Sequence, residues 1–221
     1  MIVKVCDAIM GTGKSQSAIT YMNEHKDDKF IYITPYLEEA NRIKKGCSSL
    51  RFVEPQVLAQ YNLRKTEHAA ALIREGRNIT TTHQAFKGYT PETLEDIKSQ
   101  GYTLIIDENV DVLETFDFHV DDLQIAVDAG YIKEDNGIYT VTNTEYKGKA
   151  LRDMFRLLKT RELVRIEDDD SNSLFYWALP PELITSFKNV FILTYLFKGQ
   201  SLHHFLEIYN IPYEYIGIEK T

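Results

Sequence analysis

The stretch AIMGTGKS, near the start of the chain, carries residue types that could bind a nucleoside triphosphate. It fits the pattern A-x-x-x-x-G-K-S, with Ala8, Gly13, Lys14 and Ser15 at the fixed positions. Glycines let successive backbone N–H groups approach phosphate oxygens, the lysine reaches the β- and γ-phosphates, and the serine hydroxyl ligates Mg²⁺. Because an apolar strand precedes the stretch and a helix follows it, we predict a phosphate-binding loop (P-loop) rather than an ordinary glycine-rich turn. Its residues are Gly11, Thr12, Gly13, Lys14, Ser15 and Gln16.

A second stretch, TLIIDEN, ends an apolar run in two carboxylates. Asp107 is placed to hold Mg²⁺ through its water shell, and Glu108 to orient or deprotonate the attacking water. Taken alone, the two acids are equally well explained by an exposed loop after a strand. Together with the P-loop they predict triphosphate hydrolysis, whereas a small-molecule kinase does not usually need this pair. The predicted catalytic residues are therefore Lys14, Asp107 and Glu108, with ATP and Mg²⁺ as ligands and Ser15 and Asp107 on the metal.

The elements that must position these residues alternate between strand and helix. Apolar, β-branched runs predict strands over 2–6, 29–35, 77–86, 102–109, 189–197 and 213–218. Helices are predicted over 14–25, 36–45, 63–76, 90–101 and 201–210. This alternation predicts an α/β fold with a parallel sheet and helices on both of its faces.

The stretch 112–188 lacks this alternation, so we predict an α+β insertion into a main domain formed by 1–111 and 189–221. Within it, Asp135-Asn136-Gly137 lies between alternating apolar residues and predicts a hairpin turn. Residues 149–163 have leucines at helical spacing, and the acidic run 167–170 is typical of a solvated loop. Trp177 is better explained by the core of the insertion than by an aromatic platform for bases.

The order of these stretches resembles the motifs of superfamily 2 helicases. AIMGTGKS is similar to motif I, and LIIDEN to motif II, the DExx box. YITPYLEEANRI resembles motif Ia, NITTTHQAF resembles the motif Ib region, and FILTYLF stands at the place of motif III. The resemblance covers most of 1–111 and 189–218. It implies a RecA-like P-loop NTPase, the first ATPase domain of a DEAD-like helicase of the divergent kind found in bacteriophages.

The resemblance also implies roles outside the P-loop. Thr34, Pro35, Thr82 and His83 would face single-stranded or duplex nucleic acid, with DNA favoured over RNA. Thr194 would couple the nucleotide site to that face. Taken alone, Thr34 and Pro35 are better explained by a strand end, and His83 equally well by a structural hydrogen bond.

Several features depart from the helicase pattern. There is no room before Ile2 for the upstream glutamine motif that reads adenine, motif II is D-E-N-V, and motif III lacks S-A-T. The chain also ends at Thr221, where the resemblance implies a second RecA-like domain that carries an arginine finger and half of the nucleic-acid track. We therefore expect slow hydrolysis by this chain alone, with a second RecA-like domain or subunit as its partner.

Composition limits the cellular locations and the kinds of partner that we expect. The chain is 43% hydrophobic and 26% charged, and none of its apolar runs approaches the roughly 18 residues that a membrane span needs. Cys6 and Cys47 lack metal-ligand spacing, and the N-terminus does not resemble a secretory signal. We therefore expect free thiols, a cytoplasmic location and no membrane partner. A net charge of -8 argues against bulk attraction to nucleic acid but leaves a local basic groove open.

Two other functions stay open at this point. The ATPase domain of a DNA-packaging motor also ends a strand in D-E, although no nuclease domain follows here and LTYLF does not match its coupling motif. A non-catalytic module with a helicase-like fold could instead sequester a protein through the insertion, and that activity would survive Lys14→Ala.

Overall fold

The computed structural model describes residues 1–61, 63–116, 118–143, 146–149, 151–158, 161–167 and 173–217. The chain divides into two compact units, Met1–Val110 with Pro181–Thr221 and Asp111–Pro180. The first unit resumes at Pro181, before the boundary of 189 that the sequence indicated. The four-residue helix Glu182–Thr185 lies in this interval, and a helix of one turn is too short to produce a periodic pattern.

The elements are numbered along the chain through both units. The strands are β1 (Val3–Asp7), β2 (Phe30–Ile33), β3 (Ile79–Thr81), β4 (Thr103–Asp107), β5 (Leu113–Thr115), β6 (Ile132–Asp135), β7 (Ile138–Val141), β8 (Glu162–Glu167), β9 (Ser173–Ala178), β10 (Asn189–Thr194) and β11 (Tyr213–Tyr215). The helices are α1 (Lys14–Glu24), α2 (Leu37–Gly46), α3 (Lys65–Arg74), α4 (His83–Phe86), α5 (Pro91–Gln100), α6 (Val120–Asp128), α7 (Arg152–Leu157), α8 (Glu182–Thr185) and α9 (Ser201–Ile208). Short 3₁₀ turns lie at Ser48–Leu50, Ala59–Tyr61 and Phe197–Gly199.

The first unit is built on a parallel sheet with the strand order β11-β1-β10-β4-β2-β3. The P-loop strand β1 and the acidic strand β4 are therefore separated by β10. Parallel pairing makes the carboxyl ends of all these strands meet at one edge of the sheet. This arrangement confirms the predicted α/β fold with a parallel sheet, and it explains why the candidate residues at the strand ends can meet.

Both faces of this sheet are buried. On one face, Phe30, Tyr32, Ile105, Phe191 and Leu193 form a cluster with residues of α1 and α2. The alternate residues of the same strands, such as Ile31 and Ile106, are also fully buried. Burial on both faces explains why the sequences of these strands are continuous apolar runs.

The second unit contains an antiparallel sheet in the order β5-β9-β8-β7-β6, together with α6 and α7. Asn136 and Gly137 have φ angles of 52° and 81°, the left-handed pair that a two-residue hairpin turn requires, so the predicted turn is confirmed. Trp177 is 2% exposed and belongs to the core of this unit. The structure thus confirms an α+β insertion and the core role of its tryptophan.

Two secondary-structure predictions were wrong. Residues 83–86 form α4 instead of continuing β3, because the Thr82 hydroxyl caps a new helix by accepting a hydrogen bond from the Ala85 N–H at 3.3 Å. The helix predicted over 149–163 is only Arg152–Leu157, and Glu162 already belongs to β8. The acidic residues 168–170 and the end of the predicted strand at Ile218 lie outside the described residues.

The two cysteines are free, as expected, and both are buried. Within the described part of the chain, every helix is too short or too polar to cross a membrane.

Candidate nucleotide-binding site

The candidate residues lie at the edge of the parallel sheet where the strands end. β1 leads into the P-loop, β4 ends at Asp107, and β10 ends at Thr194. Thr34 follows β2, and Thr82 follows β3. This edge is where ligands bind in open α/β sheets, so the topology brings together residues that are far apart in the sequence.

The P-loop owes its shape to two glycines. Gly11 and Gly13 have φ angles of 81° and 92°, in the region that side chains with a Cβ rarely adopt. The space where a Cβ would stand is open at both positions, so the backbone conformation, and not crowding, requires glycine there. Gly13 is the N-cap of α1, and the helix therefore starts at the end of the loop with its positive end toward it.

Lys14 is held inside the loop that precedes it. Its Nζ donates hydrogen bonds to the backbone carbonyls of Ala8 at 2.5 Å and Ile9 at 3.1 Å. The Thr12 hydroxyl donates to the same Ile9 carbonyl at 2.7 Å. Lys14 is only 6% exposed, so its charge depends on these carbonyls for solvation. The ammonium group therefore lies at the centre of the loop, where a phosphate could compete for it.

Tyr32 of β2 links the P-loop to the acidic strand. Its hydroxyl donates to Asp107 Oδ2 at 2.8 Å, and the Ser15 side chain lies close enough to this hydroxyl to lower its pKa. Tyr32 pairs with Ile105 of β4, and Asp107 follows two residues later on the same face of that strand. The two predicted metal ligands, Ser15 and Asp107, are thus brought to a single buried hydroxyl.

The Asp107 carboxyl is buried beside other negative groups. Burial raises the pKa of Asp107 to about 6, against the lowering effect of the hydrogen bond from Tyr32. The charges of Glu39 and Glu108 raise this pKa further, and that of Lys14 lowers it. A buried carboxylate of this kind is stabilised by a cation.

Glu108 follows Asp107 in a conformation that is rare for its type. Its φ is 66°, and its N–H donates to the Leu193 carbonyl at 3.0 Å. A left-handed conformation costs a residue with a Cβ roughly 1–2 kcal/mol. Such strain is found at functional sites, where the surrounding structure holds it in place. The backbone hydrogen bond to β10 does so here.

The predicted coupling residue, Thr194, is buried between β10 and the P-loop. Its carbonyl accepts from the Ala8 N–H at 3.0 Å, and its hydroxyl hydrogen-bonds the Gln200 side chain at 2.7 Å. The Asp7 carboxylate accepts from the N–H groups of Leu196 and Phe197 at 2.8 and 3.0 Å. The loop after β10 is therefore fastened to the start of the P-loop at two points.

The residues predicted to face nucleic acid differ in whether their side chains are free to contact a ligand. The Thr34 side chain is buried and accepts from the Tyr36 N–H at 3.3 Å, while the Thr82 hydroxyl caps α4. Pro35 is exposed. His83 Nε2 lies 3.2 Å from the Asp107 carbonyl, so this residue reaches the nucleotide side of the sheet edge.

Sequence reasoning missed four residues that the structure places at this edge: Asp7, Tyr32, Tyr36 and Gln200. Tyr36 is 62% exposed and follows Pro35 directly, so it stands out only when exposure is known. Tyr32 could have been noticed as a hydroxyl-bearing residue near the end of a buried strand. Asp7 and Gln200 act through the loop after β10, and their sequence surroundings carry no motif.

The residues present fit Mg²⁺. Ser15 and Asp107 offer hydroxyl and carboxylate oxygens, the donors that this hard cation prefers, and Mg²⁺ usually keeps several waters and binds through few protein ligands. The buried carboxyl of Asp107 is also a group whose charge a cation would compensate.

Comparison with known proteins gives a relative of viral origin. No family model matches the chain. The chain is 35% identical over 228 residues to the SPbeta prophage-derived uncharacterized protein YonV of Bacillus subtilis (strain 168), over 99% of this chain and 54% of that protein. It thus spans about half the length of this curated relative, whose prophage origin agrees with the bacteriophage type that the motifs implied. A solved structure named XPD_APO is similar with a TM-score of 0.44 and 13% identity, over 99% of this chain and 55% of that chain.

Proposed function

We propose that this chain binds ATP with Mg²⁺ through its P-loop and hydrolyses it. The observation that carries the proposal is the meeting of Ser15 and Asp107 at the Tyr32 hydroxyl, directly beside the N-terminus of α1. Oxygen ligands for a divalent cation and backbone donors for phosphate are then adjacent. A glycine-rich turn with a different purpose would not need an acidic strand end at this place.

Each side chain has a distinct task in this proposal. Lys14 exchanges the carbonyls of Ala8 and Ile9 for β- and γ-phosphate oxygens, because a phosphate oxygen carries a negative charge and a carbonyl is only a dipole. Ser15 and Asp107 hold Mg²⁺, which when bound neutralises charge on the phosphates. Glu108, which is partly exposed at the strand end, orients water and accepts its proton.

We propose that the energy of this hydrolysis is used to act on nucleic acid, as in the first domain of a superfamily 2 helicase or translocase. Because the side chains of Thr34 and Thr82 are engaged locally, contact at their strand ends is expected through backbone groups, Pro35 and the exposed ring of Tyr36. An exposed aromatic ring can stack on a base of either DNA or RNA. DNA is favoured over RNA in this proposal.

Coupling between nucleotide and nucleic acid would pass through Thr194. Its contacts with Ala8 and Gln200 join the P-loop to the loop after β10. The proposal also needs a second RecA-like domain. We propose that it comes either from another subunit or from sequence that corresponds to the half of the curated relative outside the match.

The test is ATP hydrolysis with and without single-stranded DNA or RNA. Wild type is expected to turn over ATP slowly, with stimulation by nucleic acid once the second domain is supplied. Lys14→Ala and Glu108→Gln are expected to abolish turnover. Exposed residues of the same types, changed as Lys45→Ala and Glu95→Gln, are matched controls that should retain it. Turnover that survives Lys14→Ala, or that never responds to nucleic acid, would contradict the respective part of the proposal.

A further inference from the structure

Two histidines and a glutamate on α9 form a cluster away from the P-loop. We call His203, His204 and Glu207 the His-Glu cluster. One possible ligand atom from each residue lies within 4.8 Å of the other two. His203 Nε2 is 3.4 Å from Glu207 Oε1, and His204 Nδ1 is 3.4 Å from Glu207 Oε2. Both imidazoles therefore turn a ring nitrogen toward the same carboxylate.

These distances are compatible with a metal ion shared by the three side chains. An N–H···O hydrogen bond normally measures about 2.7–3.2 Å, so 3.4 Å is long for one. In a tetrahedral zinc site with ligand bonds of about 2.0–2.2 Å, neighbouring ligand atoms are roughly 3.3–3.6 Å apart. The two nitrogen–oxygen separations fall in this range, and because they end at different oxygens of Glu207, a small rotation of the carboxylate would bring one oxygen to both imidazoles.

The cluster combines one fixed ligand with two accessible ones. The His203 side chain is only 9% exposed, and its ring packs against Phe197 and Tyr213. Its Nε2 is also 3.0 Å from the Tyr213 hydroxyl, a contact that metal binding through this nitrogen would replace. His204 and Glu207 are exposed, so an ion can reach them from solvent. Packing thus holds one ligand in place, while the other two need only small side-chain rotations to close on an ion.

The donor set indicates which ion is expected. Two imidazoles and one carboxylate suit Zn²⁺ and related divalent transition metals, whereas Mg²⁺ and Ca²⁺ prefer oxygen ligands throughout. All three residues belong to one helix, and Glu207 lies one turn from both histidines, at i+4 from His203 and at i+3 from His204. Both cysteines are buried, which leaves them poor competitors for added metal.

We propose that His203, His204 and Glu207 bind a divalent transition-metal ion of the zinc class. The ion would link residues one turn apart in α9, the helix whose N-cap Gln200 contacts Thr194. The site shares no residue with the proposed ATP site, so the outcomes of the two proposals are independent.

The test uses untagged protein stripped of metal and then freed of chelator, in buffer with excess Mg²⁺ to occupy the P-loop site. Wild type is expected to bind one equivalent of Zn²⁺ by calorimetry, and one equivalent of Co²⁺ with the visible spectrum of a tetrahedral complex. His204→Ala and Glu207→Gln, two substitutions at exposed positions, should each weaken binding by at least about tenfold. His119→Ala removes an exposed histidine outside the cluster and should bind as wild type does.

A stability measurement separates a built site from adventitious binding. Zn²⁺ is expected to raise the melting temperature of wild type and of His119→Ala but not of Glu207→Gln, because a ligand stabilises only the folded state that it binds. Absence of stoichiometric binding would overturn the proposal. So would equal binding by wild type and both cluster variants.

Discussion

The hydroxyl of Tyr32 donates a hydrogen bond of 2.8 Å to the carboxylate of Asp107. Both groups are buried, and the Ser15 side chain lies beside the same hydroxyl, so one tyrosine stands between the two proposed Mg²⁺ ligands. In a nucleotide site this arrangement would keep the ligands close before the metal arrives, at the cost of leaving a carboxyl in a poorly solvating place.

Removing the Tyr32 hydroxyl should weaken the binding of Mg²⁺ at the proposed site. Tyr32→Phe deletes a hydrogen bond to a charged group, a loss of about 1.5–3 kcal/mol. We expect a higher Mg²⁺ concentration for half-maximal ATP hydrolysis, measured by titration at saturating ATP. Tyr102→Phe is the matched control, because that buried hydroxyl bonds only to the Ile73 and Arg77 carbonyls among the contacts found. If both variants show the same Mg²⁺ dependence, Tyr32 does not position the ligands.

The raised pKa of Asp107 predicts a pH-dependent stability. Its folded pKa is about 6 against an ordinary value of 3.8, so the protonated form stabilises the fold below 3.8 and this contribution is lost as pH rises through 6. The shift of about two units corresponds to about 3 kcal/mol. Asp107→Asn, which stays neutral, should therefore be more stable than wild type at pH 8 and similar to it at pH 4.

Urea unfolding without nucleotide and with chelator present measures this difference. The exposed substitution Asp27→Asn is its control and should show no such trend. A difference between wild type and Asp107→Asn that does not change with pH would show that burial does not govern this carboxyl.

The left-handed backbone of Glu108 predicts that stability and activity oppose each other at this position. Glu108→Gly relieves the strain at φ 66° and should raise the free energy of unfolding by about 1 kcal/mol, while hydrolysis is lost. Glu108→Gln should lose hydrolysis as well but gain no stability. Chemical unfolding and single-turnover hydrolysis of both variants check this. A glycine variant less stable than the glutamine variant would rule out the strain.

The exposed ring of Tyr36 should contribute to nucleic-acid affinity. Base stacking on an aromatic side chain is worth about 1–3 kcal/mol. Tyr36→Ala should therefore weaken binding of a labelled single-stranded oligonucleotide by about tenfold or more in anisotropy titrations, whereas Tyr36→Phe keeps the ring and should bind like wild type. Equal affinity of all three proteins would remove this residue from the proposed interface.

Local patterns predicted the parallel sheet and the turn between β1 and α1 because both are encoded in short windows. Apolar β-branched runs mark strands that are buried on both faces, and the glycines at 11 and 13 mark the loop conformation. The contact of Tyr32 with Asp107 could not be predicted in this way, since it joins residues 75 positions apart on neighbouring strands. The strand predicted through 83–86 is wrong for a local reason, because the side chain of the β-branched Thr82 caps a helix.

The central claim, that this P-loop holds ATP and Mg²⁺, is tested most directly by equilibrium binding of a fluorescent ATP analogue to Glu108→Gln, which should bind without turnover. Adding Lys14→Ala to this variant is expected to reduce affinity strongly, and adding Lys45→Ala to leave it unchanged. Binding should also fall when Mg²⁺ is chelated. If the analogue binds equally well without Lys14 and without Mg²⁺, or does not bind at all, the proposed function is contradicted.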